Sequence, residues 1–168
     1  MKNIKFLYLN FDQMLISITN AKQEEEQVSF QQLLDQSQYT ILYFYPKDNT
    51  PGCTLEALEF QSIADKFQEL GCQIIGISKD SHKSHCGFMK KNKLNFQLIT
   101  DDTGELHEKY GTWAEKSMFG KKYMGTVRST FLLNKAGKII EERKNISAPD
   151  HAKKVLEKLQ KVVMDYKE

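Results

Sequence analysis

The stretch Tyr43–Leu58, YFYPKDNTPGCTLEAL, sets two prolines, a glycine and a cysteine where an apolar run gives way to an amphipathic one. Upstream, TILYFY (residues 40–45) is a continuous β-branched and aromatic run, as expected of a strand covered on both faces. Pro46 ends it. Downstream, CTLEALEFQSIADKFQEL carries Ala57, Phe60, Ile63, Ala64, Phe67 and Leu70 at helical spacing, and Gly71 closes that helix. Thr50 followed by Pro51 reads as N-cap and first helical residue, where a missing N–H costs nothing. Cys53 therefore falls in the first turn, among backbone N–H groups with no intrahelical partner and at the positive end of the macrodipole. Such a place favours a thiolate over a thiol. The same N–H groups, with the Thr50 hydroxyl, could bind oxygen atoms of a small polar substrate, while Pro46 shields the sulfur. The carboxyl edge of a sheet is also where α/β proteins bind ligands. Against this stands the plainer reading of a small hydrophobe packed at a helix start.

Working outward, CQIIGIS (72–78) and FQLITD (96–101) read as further strands. SHKSHCGFMKKNKL (81–94) and GELHEKYG (104–111) read as helices. VRSTFLLN and KIIEER flank KAG, a hairpin signal. The closing APDHAKKVLEKLQKVVMDY is amphipathic, with Val155, Leu156, Leu159, Val162 and Val163 on one stripe. Nearer the N-terminus, IKFLYL (4–9) and MLISIT (14–19) suggest two strands. NAKQEEEQ (20–27) reads as a polar loop, and SFQQLLDQ as a short helix capped by Ser29. The alternation of strand and helix favours a single α/β domain over residues 1–168. Its expected form is a three-layer sandwich with a central mixed sheet flanked by helices, the βαβ strands parallel.

Composition narrows the function. A net charge of +2 suggests neither nucleic acid nor a membrane surface as partner. No apolar run is long enough to span a bilayer, and Asn10, Asp12 and Gln13 interrupt any signal-peptide core. Three cysteines, Cys53, Cys72 and Cys86, make no disulfide framework and suit a reducing compartment, so the cytoplasm is the expected location. Only Arg128 and Arg143 are arginines, which draws attention to each, because a guanidinium offers a planar fork that lysine lacks.

The motif FYPKDNTPGCTLEA resembles the active-site loop of the peroxiredoxins, and most closely the bacterioferritin comigratory protein, or Q-type, subfamily. The likeness continues through IIGISKDSHKSH, FQLITDDTGELHEKYGTW and GKKYMGTVRSTFLLNKAGKI, over about residues 40–165; residues 1–39 diverge from it. It implies a thioredoxin-like fold and a thiol-dependent peroxidase acting on hydrogen peroxide and organic hydroperoxides. Cys53 would be the peroxidatic cysteine, passing through a sulfenic acid. Thr50 would hydrogen-bond the peroxide and Pro46 shield the site. Arg128 would stabilise the thiolate and polarise the peroxide; without the motif it would read as a surface salt bridge. Glu56 also matches the motif, and either orients the loop or simply favours the helix N-terminus by charge. Thioredoxin or a similar dithiol protein would supply electrons, with no cofactor or metal implied. A monomer is expected, with a dimer open.

The resolving thiol is less plain. Many members of the subfamily carry it five residues after the first, where this chain has Leu58. A helix of roughly 17 residues separates Cys53 from Cys72 by about 25 Å, too far for a disulfide, so Cys72 reads as structural. Cys86 lies in the first turns of the next helix, near the same edge, and other members have their resolving cysteine in the corresponding helix. An external thiol is the alternative. SHKSHC sets His82 and Cys86 four residues apart, a metal-like spacing with no evident fourth ligand. His85 reads as a cap or packing residue, and His107 and His151 as surface residues. Trp113, Phe119 and Tyr123 read as an aromatic loop that packs the sheet edge, walls a pocket or docks a reductase. Two rival functions remain: a non-catalytic thioredoxin-fold binding or chaperone module, and a disulfide oxidoreductase, which the lack of C-x-x-C opposes.

Overall fold

The computed structural model describes residues 13–165. The expected strand at residues 4–9 lies outside them. A seven-stranded mixed sheet forms the centre, in the order β2-β1-β5-β4-β3-β8-β9. Its strands are β1 (Leu15–Thr19), β2 (Glu25–Ser29), β3 (Tyr39–Phe44), β4 (Cys72–Ser78), β5 (Gln97–Thr100), β8 (Ser129–Asn134) and β9 (Ile139–Lys144). β3, β4 and β5 run parallel; β8 pairs antiparallel with β3, and β1 with β5. β6 (Trp113–Met118) and β7 (Lys121–Thr126) form a separate two-stranded ribbon. The helices are α1 (Phe30–Leu34), α2 (Pro51–Ser62), α3 (Ala64–Glu69), α4 (His82–Asn92), α5 (Glu105–Tyr110) and α6 (His151–Asp165). Among the described residues, no helix is long and apolar enough to cross a membrane.

β3 is the axis of the molecule, and every one of its residues is buried. Ile41 and Tyr43 face one core, where Phe60 of α2, Phe67 of α3, Phe88 and Met89 of α4 and the Val155–Leu159 face of α6 meet. Leu42 and Phe44 face the other, with α1, α5 and the β1 isoleucines. This two-sided coverage explains why the strand is apolar throughout instead of alternating. Gly76 of β4 is required by packing: a Cβ there would lie 2.7 Å from Leu98 Cδ2 and 3.0 Å from Tyr43 Cζ.

The structure departs from the sequence reading at four places. Residues 25–27, expected within the polar loop 20–27, belong instead to edge strand β2, which pairs with β1 from Leu15↔Ser29 to Thr19↔Glu25. Charged side chains on an edge strand deter pairing with other chains. The helix from Cys53 to Leu70 is two helices, broken at Ile63 (φ −122°, ψ 16°). Ser62 Oγ donates to the Glu59 carbonyl at 2.7 Å, a local bond that competes with the helical ladder. The aromatic loop before Arg128 is the β6–β7 hairpin, turned by Phe119 and Gly120 at φ 51° and 78°. Finally, His107 and His151 are buried, not superficial. His107 bridges Asp101 (2.7 Å) and Thr126 (2.9 Å), and His151 meets Thr130 Oγ1 at 2.7 Å. Ser29 caps α1 as expected, in a capping box with Gln32.

Candidate active site

β3 delivers the chain to one edge of the sheet. Pro46 is exposed there, and the loop passes through Asn49 in a left-handed conformation (φ 64°). Thr50 is the extended N-cap of α2 and Pro51 its first residue. The first intrahelical bond runs from Thr54 N–H to the Thr50 carbonyl at 2.9 Å. The N–H groups of Gly52 and Cys53 precede that bond and point out of the helix end. The Thr50 hydroxyl does not cap the helix. It donates to the Lys47 carbonyl at 2.8 Å and so ties the loop to itself, with its oxygen still able to accept.

Cys53 is 2% exposed, and Arg128 meets it. Arg128 immediately precedes β8, the strand beside β3, so the sheet register carries it to the start of α2. Its Nη2 donates to Cys53 Sγ at 3.2 Å, and its Nη1 to Glu56 Oε1 at 2.6 Å. Glu56, one turn after Cys53, is fully buried. It therefore serves as more than a charge at a helix start: it holds one prong of the guanidinium while the other prong faces sulfur. Burial pushes the Glu56 carboxyl up to about 7, against the opposing pull of Arg128. Burial also works against the Arg128 charge, but Glu56 and Cys53 outweigh it and raise the pKa of Arg128. Among the described residues, Glu56 Oε2 has no hydrogen-bond partner.

Two neighbours went unnoticed in the sequence. Gly52 lies against the guanidinium, where a Cβ would be 3.3 Å from Arg128 Nη2. Lys116 of β6 is a second cation near the sulfur: burial and the Arg128 charge draw its pKa down, and Cys53 opposes them. Neither has a local signal, because a hairpin and a helix start meet only after folding. Trp113, at the foot of the hairpin, stands edge-on to His107 with ring centroids 5.8 Å apart, and carries Lys79 Nζ 4.2 Å from its own centroid.

Cys86 is not brought to Cys53. Its Sγ lies 3.4 Å from His82 Nε2 and 3.4 Å from the Gln23 carbonyl, facing the turn after β1. β3, β4 and β5 lie between that side and the β8 side where Arg128 holds Cys53. Cys72 opens β4 opposite Tyr39, at the far end of the register from Phe44↔Ile77. Burial pushes its thiol up to about 12, as befits a structural residue. Arg143 faces Glu141 at 3.6 Å in β9 and takes no part here.

Comparison with known proteins bears on this arrangement. Residues 11–142 match the AhpC/TSA family. Peroxiredoxin Bcp of Bacillus subtilis (strain 168) is 46% identical over 121 residues, covering 72% of this chain and 77% of the relative. Peroxiredoxin Bcp of Escherichia coli (strain K12) is 39% identical over 117 residues, or 70% and 74%. A solved structure of the bacterioferritin comigratory protein of Xanthomonas campestris superposes with a TM-score of 0.81 at 33% identity, covering 91% of this chain and 93% of that one. With the mixed sheet, the helix-start cysteine and its arginine in place, the chain belongs to the AhpC/TSA family, among the Bcp-type peroxiredoxins.

Proposed function

We propose that this protein is a thiol-dependent peroxidase whose nucleophile is Cys53. The observation that carries this reading is the 3.2 Å contact from Arg128 Nη2 to Cys53 Sγ, made at a helix N-terminus and braced by Glu56. The guanidinium, the positive end of the helix dipole and the free N–H groups of the first turn converge on that sulfur. In the reaction, the thiolate attacks the nearer oxygen of a hydroperoxide. The S–O bond forms as the O–O bond breaks, leaving Cys53 as sulfenic acid and releasing an alkoxide or hydroxide that takes up a proton. Arg128 and the outward N–H groups of Gly52 and Cys53 are the donors for the charge shifting onto oxygen, and the Thr50 hydroxyl oxygen, its own hydrogen given to the Lys47 carbonyl, accepts from the O–H of the peroxide.

A dithiol donor of the thioredoxin kind closes the cycle. One thiol condenses with the sulfenic acid, releasing water and forming a disulfide, and a second thiol reduces that disulfide. Either Cys86 or the donor supplies the first of these. Cys86 serves only if the start of α2 and part of α4 leave their folded positions, because Cys53 faces Arg128 while Cys86 faces His82 and the turn after β1.

Mass spectrometry after one equivalent of hydrogen peroxide tests the proposal. Cys53 gains one oxygen, or is found in a disulfide, while Cys72 stays reduced, and Cys53→Ser abolishes turnover. Selective oxidation of another cysteine, or turnover in Cys53→Ser near the wild-type rate, would refute it. A non-catalytic binding module predicts no selective reaction at all.

A further inference from the structure

The loop between Pro46 and Thr50 is fastened to the rest of the molecule at Asp48. That residue is buried, and each of its hydrogen-bonding side-chain oxygens and its N–H has a partner. Its backbone N–H donates to Asp80 Oδ2 at 2.9 Å. Tyr45 Oη donates to Oδ1 at 2.6 Å, and Ser84 Oγ to Oδ2 at 2.8 Å. His85 Nδ1 lies 2.8 Å from the same Oδ2. His85 is fully buried, and its Nε2 faces the Ile99 carbonyl at 3.1 Å. A carbonyl only accepts, so Nε2 is the donor in the contact with Ile99. Tyr45 keeps its proton as well: burial, and then the Asp48 charge, push its pKa up.

The partners come from two segments. Tyr45 and Asp48 flank Pro46, before the thiol. Ser84 and His85 sit in the first turn of α4, directly ahead of Cys86. Asn49, next to Asp48, holds a left-handed backbone, which asparagine tolerates better than most residues but which its surroundings must still hold in place. Lys47, on the other side, accepts the Thr50 hydroxyl. A shift of Asp48 would therefore travel through its neighbours to Thr50 and Pro46.

We propose that Asp48 and His85 are positioning residues for peroxide reduction: they hold the loop that carries Pro46 and Thr50, and they make that loop and the first turn of α4 open as one unit. This rests on the thiol-peroxidase reading. Neither residue touches the sulfur. A buried pair with a merely structural role would lower the stability of the whole fold and leave the chemistry of the folded molecule unchanged.

Asp48→Asn keeps the side-chain shape and removes the charge and one acceptor; His85→Gln removes the ring. Two measurements are made on each at a temperature where the protein is folded: the second-order rate of Cys53 oxidation by hydrogen peroxide, and native-state amide exchange. Both variants should oxidise roughly 10- to 100-fold more slowly, the scale of a small misplacement near reacting atoms. Amide exchange should rise by a common factor in residues 47–50 and 82–86, and stay unchanged in β3 and α6. Tyr45→Phe, which loses one hydrogen bond and keeps the ring packing, should move both readouts the same way by less. A wild-type oxidation rate in folded Asp48→Asn would overturn the proposal, as would exchange rising in one segment alone or uniformly through the chain. If Asp48→Asn does not fold, unchanged exchange in Tyr45→Phe does so. Wild-type Cys53 that ignores peroxide would instead refute the peroxidase reading, and the exchange data would still report whether the two segments are joined.

Discussion

Arg128 holds Glu56 and Cys53 with separate prongs of one guanidinium, Nη1 to carboxylate at 2.6 Å and Nη2 to sulfur at 3.2 Å. The carboxylate fixes the plane of the fork, and the fork then fixes one donor on the sulfur. Lysine can supply charge but cannot serve two acceptors in that geometry. Arg128→Lys should therefore slow oxidation of Cys53 by about 10²-fold, the usual cost of losing one aimed donor. Stopped-flow oxidation at varied peroxide concentration checks this. An unchanged second-order rate would remove Arg128 from the chemistry.

Gly52 separates chemistry from stability. An added Cβ would sit 3.3 Å from Arg128 Nη2, tight enough to move the guanidinium by a few tenths of an ångström. The backbone itself gains from alanine, which favours the helix by up to about 1 kcal/mol. Gly52→Ala should thus oxidise several-fold more slowly while its urea midpoint stays level or rises. A loss of stability matching the loss of rate would mean that the glycine serves the fold instead.

Gly76 should behave in the opposite way. A Cβ there meets Leu98 and the ring of Tyr43 in the middle of the sheet, where neither has room to retreat. Gly76→Ala should cost about 1–3 kcal/mol of folding free energy, the usual range for overpacking. Equilibrium urea unfolding, with the slope unchanged, measures it.

The parts of the molecule that could be read from the sequence are those whose cause is local. Thr50-Pro51 sets a helix start, TILYFY sets a doubly covered strand, and together they place Cys53. What escaped depends on partners far along the chain. β2 shows no alternation of its own, since Glu25, Glu26 and Gln27 are all exposed; β1 recruits it through backbone pairing. The β6–β7 hairpin carries apolar side chains on exposed positions, and a phenylalanine in a left-handed turn is not a turn signal. His107 and His151 look polar in the sequence, yet each is buried against a threonine from another element. Arg128 could be singled out by its rarity and the family motif; its clamp on Glu56, 72 residues away, could not.

Glu56 and His151 should tilt the stability of the protein against pH in opposite directions. Burial raises the Glu56 carboxyl from an ordinary 4.5 to about 7. The unfolded chain then gives up that proton first, so the contribution is complete below pH 4.5 and is lost as pH rises through about 7. His151 is the reverse case. Burial first, and then the charges of Arg143 and Arg128, lower it from 6.5 to about 4. Below pH 6.5 the unfolded chain takes up a proton that the folded one refuses, so stability falls as pH falls towards 4. Between pH 4.5 and 6.5 the two slopes oppose each other in the wild type. Glu56→Gln leaves the histidine slope alone and should lose stability on acidification. His151→Gln leaves the carboxylate slope and should lose stability as pH rises to 7. Urea unfolding at intervals across that window should show tilts on the order of 1–3 kcal/mol in each variant. Two variants tilting the same way would mean that one of these side chains keeps its ordinary proton affinity in the folded protein.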